Sequence, residues 1–293
     1  MTTLRYAYYP GCSGLGTSKE YDMSTRAVCE ALGMELIDIT DWSCCGSSPA
    51  HTVDDRLAGA LSARNLVQAG DIEGVDAIIT PCPSCLANLK TARHRLQKPE
   101  FRAEVNKLLE RPVHGDILPV KSVLQAIVED VGMEELRYRV RTPLKGMSIA
   151  PYYGCIMNRP PKIMEFDSHE NPMALDNILE ALGATVAPFN LKVECCGASF
   201  GVARRDIVER LSGKLLNLAA ENNAQAMVTA CPLCQMNLDA RQNQINVANS
   251  TNHVMPIFYF TQLIGLALGF SQSQMGLEKL VVSPRELLAG AAG

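Results

Sequence analysis

Residues 77–89 read AIITPCPSCLANL, and residues 226–238 read AMVTACPLCQMNL. Each begins with four small or apolar residues ending in threonine and continues through Cys-Pro-x-Cys into a segment carrying Asn-Leu. A proline just inside a helix start costs no hydrogen bond, because first-turn N–H groups have no intrahelical acceptor. The pattern therefore predicts a strand at 77–80 turning into a helix at 83–96, and a strand at 226–229 followed by a helix at 233–245.

Outward from these two stretches the duplication continues. Cys12, the pair Cys44-Cys45 before Gly46, and Cys82 and Cys85 form one set of five. Cys155, the pair Cys195-Cys196 before Gly197, and Cys231 and Cys234 form a second, displaced by 143 to 151 residues. Ala31-Leu32-Gly33 returns as Ala181-Leu182-Gly183, and Tyr8-Tyr9 ahead of Cys12 is matched with Tyr152-Tyr153 ahead of Cys155. Such self-similarity indicates an internal duplication, dividing the chain into an N-terminal domain of residues 1–145 and a C-terminal domain of residues 146–293.

Strands are expected at 4–9 and 35–39, with helices at 17–32, where Thr17 or Ser18 can cap, and at 53–69. In the second half the order repeats as strand 147–150, helix 171–182, strand 185–187 and helix 202–222. Alternating strands and helices give an α/β fold: two duplicated Rossmann-like domains, each with a mostly parallel sheet. Ligands of such sheets collect at the carboxyl ends of strands, where all six cysteine segments fall. The stretch 97–145 is expected to complete the first domain and lead into the second.

Net charge is −4 and the pI about 5.8, so no basic surface is on offer for nucleic acid. The first residues lack a secretory pattern, and the apolar run 255–270 is too short for a membrane span; it reads as one helix, either a docking surface or core. A cytoplasmic location is expected, and there a cysteine-rich chain binds metal or performs redox chemistry more often than it builds disulfides.

Four thiolates complete a tetrahedral zinc site or a cubane cluster, whereas each set here supplies five. Thiolates at a helix start are favoured by its backbone N–H groups. Adjacent cysteines are harder to close on one ion, and Gly46 and Gly197 relax the backbone behind them. A spread, multi-iron centre suits five donors better than zinc. No ferredoxin-type C-x-x-C-x-x-C run is present, so electrons must come from a partner.

Two copies of Cys, Cys-Cys-Gly and Cys-Pro-x-Cys at this spacing resemble the duplicated CCG-domain family that includes HdrB, a component of heterodisulfide reductases, and the resemblance covers nearly the whole chain. It implies two noncubane [4Fe-4S] clusters, one held by Cys12, Cys44, Cys45, Cys82 and Cys85, the other by Cys155, Cys195, Cys196, Cys231 and Cys234. It further implies reductive cleavage of a disulfide, or thiol oxidation in reverse, with the two clusters sharing the two electrons. The implied partners are an HdrC-like ferredoxin-type iron–sulfur protein, an HdrA-like flavin protein, and a small-molecule or lipoyl-type disulfide or thiol. Related CCG domains also resemble non-catalytic relay components of dehydrogenases, which is the alternative function; a structural zinc protein is a weaker third.

Arg159, Lys162, Lys192, Arg204 and Arg205 flank the second set and are candidates to meet an acidic substrate group, although solvated charge is the commoner fate of such residues. His51 follows the first Cys-Cys-Gly and is a candidate proton donor. Cys29 lies on an apolar helix face and reads as an inert buried thiol. His114 and His253, at matching places, read as structural inheritance, and Trp42 as a shield for the centre beside it.

Overall fold

The structure, a computed structural model, describes residues 4–47 and 50–290. The first sheet comprises β1 (Leu4–Tyr8), β2 (Met34–Asp38), β3 (Ala77–Thr80) and β4 (Val120–Ser122), in the order β2-β1-β3-β4. The second comprises β5 (Ser148–Tyr152), β6 (Thr185–Val186), β7 (Ala226–Thr229) and β8 (Ile257–Tyr259), in the order β6-β5-β7-β8. Every pairing is parallel, with Thr80 opposite Ser122 and Thr229 opposite Tyr259. Parallel neighbours need crossover connections. Helices Lys19–Ala31, Asp55–Ala69 and Pro83–Arg95 provide them in the first half, and Ala174–Ala181, Arg205–Glu221 and Pro232–Asp239 in the second. All four residues of β3 and of β7 are buried, as expected of central strands covered on both faces. The expected α/β duplication is therefore present.

Several expected elements differ in detail. The run 255–270 is a strand, β8, followed by helix Phe260–Ala267, almost all of it buried, so it is core. A parallel strand buried on both faces shows no alternation, and its sequence is indistinguishable from a buried helix. Its counterpart β4, within the stretch 97–145, is an edge strand of only three residues, Val-Lys-Ser, too short to show a period. The helix expected at 233–245 breaks into Pro232–Asp239 and Gln242–Asn249. The helix expected at 53–69 starts at Asp55, because extended Asp54 accepts hydrogen bonds from the N–H groups of Arg56 and Leu57. Ser18 stands at the N-cap of Lys19–Ala31 but makes no capping bond; its hydroxyl meets Tyr259 of the other half instead.

The larger apolar core contains residues of both sheets, among them Tyr6, Ile79, Val228 and Phe258. Helix Lys19–Ala31 packs on helix Phe260–Ala267, and helix Ala174–Ala181 packs on helix Met133–Arg139, so each half lends a helix to the other. At the first of these contacts Ser24 Oγ and Thr261 Oγ1 are 2.7 Å apart, and the Tyr21 and Tyr259 rings stack at 4.0 Å. The buried Tyr21 hydroxyl donates toward two carbonyls, Pro81 at 3.1 Å and Ala230 at 3.0 Å. Those residues immediately precede Cys82 and Cys231, so one hydroxyl ties together the two Cys-Pro-x-Cys turns.

Tyr21→Phe removes this tie and leaves two buried carbonyls without their donor. A loss of about 1–3 kcal/mol is expected in urea unfolding. Tyr138→Phe, at a ring that is 85% exposed, should change stability by less than about 0.5 kcal/mol. Equal effects of the two substitutions would contradict the assignment.

Candidate functional site

Both Cys-Pro-x-Cys turns have the same build. Cys82 and Cys231 are the extended residues before their helices, with φ −93° and −119°, and proline occupies the first turn. Cys85 and Cys234 follow on that turn and are buried. Each turns its sulfur to the second cysteine of the Cys-Cys-Gly loop: Cys85 Sγ lies 3.6 Å from Cys45 Sγ, and Cys234 Sγ 3.5 Å from Cys196 Sγ. Electrostatic coupling links Cys12 to Cys44, Cys82 and Cys45, and Cys155 to Cys195, Cys196 and Cys231. The structure thus brings the five cysteines of each set together, and all of them are free thiols.

The surroundings repeat as well. Ser62 donates to the Cys45 carbonyl at 2.8 Å, and Ser212 to that of Cys196 at 2.9 Å. The Asn88 and Asn237 side-chain amides point at the sulfurs of Cys45 and Cys196, each at 3.7 Å. Tyr9 donates to the Ser43 carbonyl at 2.7 Å and Tyr152 to that of Glu194 at 2.8 Å, bracing the residue before each Cys-Cys pair. Tyr9 is therefore the counterpart of Tyr152, one place out of step with the match of Tyr8-Tyr9 to Tyr152-Tyr153. Trp42 is half-buried and meets the Tyr9 ring edge-on at 5.3 Å, and Tyr9 in turn lies near the sulfurs of the first set.

Two glycines make the close approach possible. A Cβ on Gly11 or on Gly154 would stand 2.9 Å from the sulfur of Cys85 or Cys234 respectively, and both residues have positive φ, 70° and 75°. Gly46 and Gly197, with φ 84° and 85°, turn the chain behind the adjacent pairs as their sequence suggested.

The thiols cannot all ionise unaided. The hydrogen bond shared with Cys85 lowers the Cys45 thiol to about 7, and that shared with Cys234 does the same for Cys196. Their partners are correspondingly pushed far up, Cys85 by Cys45 and Cys82, Cys234 by Cys196 and Cys231. Burial raises Cys12 and, with Cys195 next in effect, pushes Cys155 up to about 12. Each set is a crowd of soft donors whose negative charges repel one another, and bound metal is what would relieve that repulsion. Among the described residues, no group of three or more His, Cys, Asp or Glu is placed to hold a metal ion. A metal ligand bound there would have to draw the sulfurs inward or span them with several metal atoms.

The charged candidates do not gather at the cysteines. Lys192 is buried, donating to Asp176 at 2.7 Å and to the Pro172 carbonyl at 3.0 Å, while its own carbonyl receives the N–H groups of Tyr153 and Gly154. It supports the loop that presents Cys155. Arg159 is half-buried and donates to the carbonyls of His169 and Val193. Arg204 and Arg205 are exposed and paired with Asp206 and Glu209. Lys162 is exposed on the short helix Pro161–Met164, and His51 on Ala50–Val53. Cys29 is fully buried, and burial pushes its thiol up to about 12. His114 is exposed whereas His253 bonds Asn217 at 2.6 Å, so the two histidines do not share an environment.

Fold and site together define a duplicated α/β protein with one five-cysteine centre at the carboxyl ends of the strands of each sheet. The cysteine-rich CCG domain matches residues 6–90 and again 149–239, and the chain belongs to that family. It is 33% identical to the membrane anchor of the 8-methylmenaquinol:fumarate reductase of Wolinella succinogenes, over 96% of this chain and 98% of that one. It is 29% identical to the HdrB component of the ferredoxin/F(420)H(2)-dependent CoB-CoM heterodisulfide reductase of Methanosarcina acetivorans, over 97% and 96%. An HdrB-like heterodisulfide reductase protein of Archaeoglobus profundus is 30% identical over the same shares. A hypothetical protein of Helicobacter pylori has the same fold, with a TM-score of 0.75 at 14% identity, covering 95% of this chain and 52% of that one. Among the described residues, no helix is long and apolar enough to cross a membrane.

Sequence reasoning passed over Gly11, Gly154, Asn88, Asn237 and Tyr21 as site residues. Four of these carried a signal, since a glycine precedes the first cysteine of each set and an asparagine follows each Cys-Pro-x-Cys at the same distance. Tyr21 carried none: at the 150-residue offset that relates Leu32 to Leu182 stands Asn171.

Asp176→Ala leaves the buried Lys192 ammonium unpaired and should cost about 3–5 kcal/mol in chemical denaturation. Asp206→Ala, which breaks an exposed pair, should leave the denaturation midpoint essentially unchanged. A Lys192 that tolerates the loss of its partner would show that it is not fixed by this pair.

Proposed function

We propose that each five-cysteine centre holds a noncubane [4Fe-4S] cluster, Cys12, Cys44, Cys45, Cys82 and Cys85 in the first half and Cys155, Cys195, Cys196, Cys231 and Cys234 in the second. On this reading the chain is the catalytic component of a heterodisulfide reductase-like complex. The observation that carries it is the near-identity of the two centres, down to the paired sulfurs at 3.6 and 3.5 Å and the amide aimed at each. Cleaving a disulfide takes two electrons and two protons and yields two thiols, a stoichiometry that two equivalent one-electron centres match. Iron–sulfur groups bound there would supply single-electron transfer and affinity for sulfur.

The chain's own residues prepare the sites. Asn88 and Asn237 favour the thiolate forms of Cys45 and Cys196. Tyr9 and Tyr152 hold the loops, and Gly11 and Gly154 leave room for the sulfurs. Tyr21 fixes the separation of the two Cys-Pro-x-Cys turns. Electrons would arrive from an HdrC-like ferredoxin-type iron–sulfur protein and, behind it, an HdrA-like flavin protein in the cytoplasm. The substrate class is a small-molecule or lipoyl-type disulfide, or the corresponding thiols in the reverse direction.

A second reading is favoured by the Wolinella succinogenes relative, which matches this chain end to end and is named as part of a fumarate reductase. In it the chain relays electrons for another enzyme's chemistry and never touches a sulfur substrate.

Anaerobically purified protein should contain about eight iron atoms per chain, two clusters of four, and negligible zinc. Cys82→Ala should halve the iron while leaving the C-terminal centre assembled; full zinc occupancy without iron would end the proposal. Adding substrate-like thiol and disulfide to the oxidised protein separates the two readings. A changed paramagnetic signal means sulfur reaches iron and supports catalysis, and an indifferent signal supports the relay.

A further inference from the structure

Helix Pro83–Arg95, which begins at the first Cys-Pro-x-Cys turn, carries Lys90, Arg93 and His94 to the wall of a cavity of about 480 Å3. Lys121 reaches the same cavity from β4, and Lys162 and Glu165 reach it from the segment that follows Cys155. It lies on the seam between the two halves, and no cysteine lines it.

The charges in this wall are not balanced. Lys121 is answered by Asp130 at 2.6 Å and Glu129 at 3.1 Å. Lys90 is answered only by neutral oxygens, the Met164 carbonyl and Gln125 Oε1. Arg93 donates to the Ile117 carbonyl at 3.1 Å. Among the described residues, neither Lys90, Arg93 nor Lys162 has a carboxylate at ion-pair distance. Glu165 is the wall's carboxylate. Burial lowers the pKa of Lys90, and the carboxylates of Glu165 and Glu129, beyond ion-pair distance, offset that only in part. In a chain of net charge −4 this concentration of positive charge runs against the average.

The duplication supplies a control. At the offset of 149 that relates Cys82 to Cys231, Lys90 corresponds to Asp239. The Asp239 carboxylate is fully engaged, receiving the N–H groups of Val281 and Val282, each at 2.8 Å, and the Gln235 amide at 3.0 Å. In the second half the chain's own later segment satisfies this position. In the first half the charge is reversed, and among the described residues no carboxylate comes within ion-pair distance of it, Glu165 and Glu129 acting on it only from further off.

We propose that the cavity binds a small ligand bearing two or more anionic oxygen groups, of the phosphate or carboxylate class, at the seam between the halves. Its volume falls in the range of small-molecule sites, about 300–1,000 Å3, and cations converging on one recess focus a positive potential there. Lys162, expected at the substrate, is assigned to this site instead. The inference does not depend on what the cysteines hold.

The test is calorimetric titration of the full-length anaerobic protein at low salt, with inorganic pyrophosphate in one arm and citrate in the other, which distinguishes phosphate from carboxylate ligands. Saturable binding at one site per chain is expected in at least one arm. Lys162→Ala should weaken it about tenfold or more, and Glu165→Gln should tighten it. Lys214→Ala, which removes an exposed lysine far along helix Arg205–Glu221 and outside the cavity, should leave it unchanged. Absence of saturable binding below about millimolar in both arms (about −4 kcal/mol), or equal losses from Lys162→Ala and Lys214→Ala, would overturn the proposal.

Discussion

A single phenol hydroxyl between two backbone carbonyls sets the relation between the halves of this molecule. Tyr21 belongs to the first half, and its oxygen sits at 3.1 and 3.0 Å from the carbonyls of the residues that precede Cys82 and Cys231. Its ring stacks on Tyr259 of the second half, and the neighbouring Ser24–Thr261 contact extends the same seam. Buried polar groups of this kind are costly unless satisfied, so the arrangement admits few alternatives. Two centres that could have floated on separate domains are held at one separation.

The centres themselves follow from a conflict between packing and charge. Parallel strands β3 and β7 deliver Cys82 and Cys231 to helix starts, and the Cys-Cys-Gly loops bring a further sulfur to within 3.6 Å of Cys85 and 3.5 Å of Cys234. Such proximity favours the thiolate of Cys45 and of Cys196 at the expense of Cys85 and Cys234, and the asparagine amides add to that preference. A protein with no use for metal would gain nothing by repeating this unfavourable crowding twice. The same duplicated scaffold has let the halves diverge away from the cysteines, where Lys90 and Asp239 occupy equivalent positions with opposite charge.

Much of this was legible in the amino-acid order. The ten cysteines, the duplication, and strands β3 and β7 were readable because proline and cysteine punctuate them at fixed spacing. Strands β4 and β8 were not: β8 is buried on both faces and has no periodicity to distinguish it from a helix, and β4 is only three residues long. The break at Ala240 before helix Gln242–Asn249 was equally hidden. Charged residues were the least legible. Lys192 looked like a surface charge beside the Cys-Cys-Gly loop, and its burial against Asp176 is decided by a helix 16 residues earlier in the chain. Tyr21 could be found only in three dimensions, since its partners lie 60 and 209 residues away.

Two equivalent metal centres are proposed, one in each half and each among five sulfurs. Anomalous X-ray diffraction at the iron edge, from crystals grown without oxygen, examines that directly. Two compact groups of iron peaks should appear, one beside Cys45 and Cys85 and the other beside Cys196 and Cys234. Iron in only one half, or a signal that appears at the zinc edge instead, would contradict it.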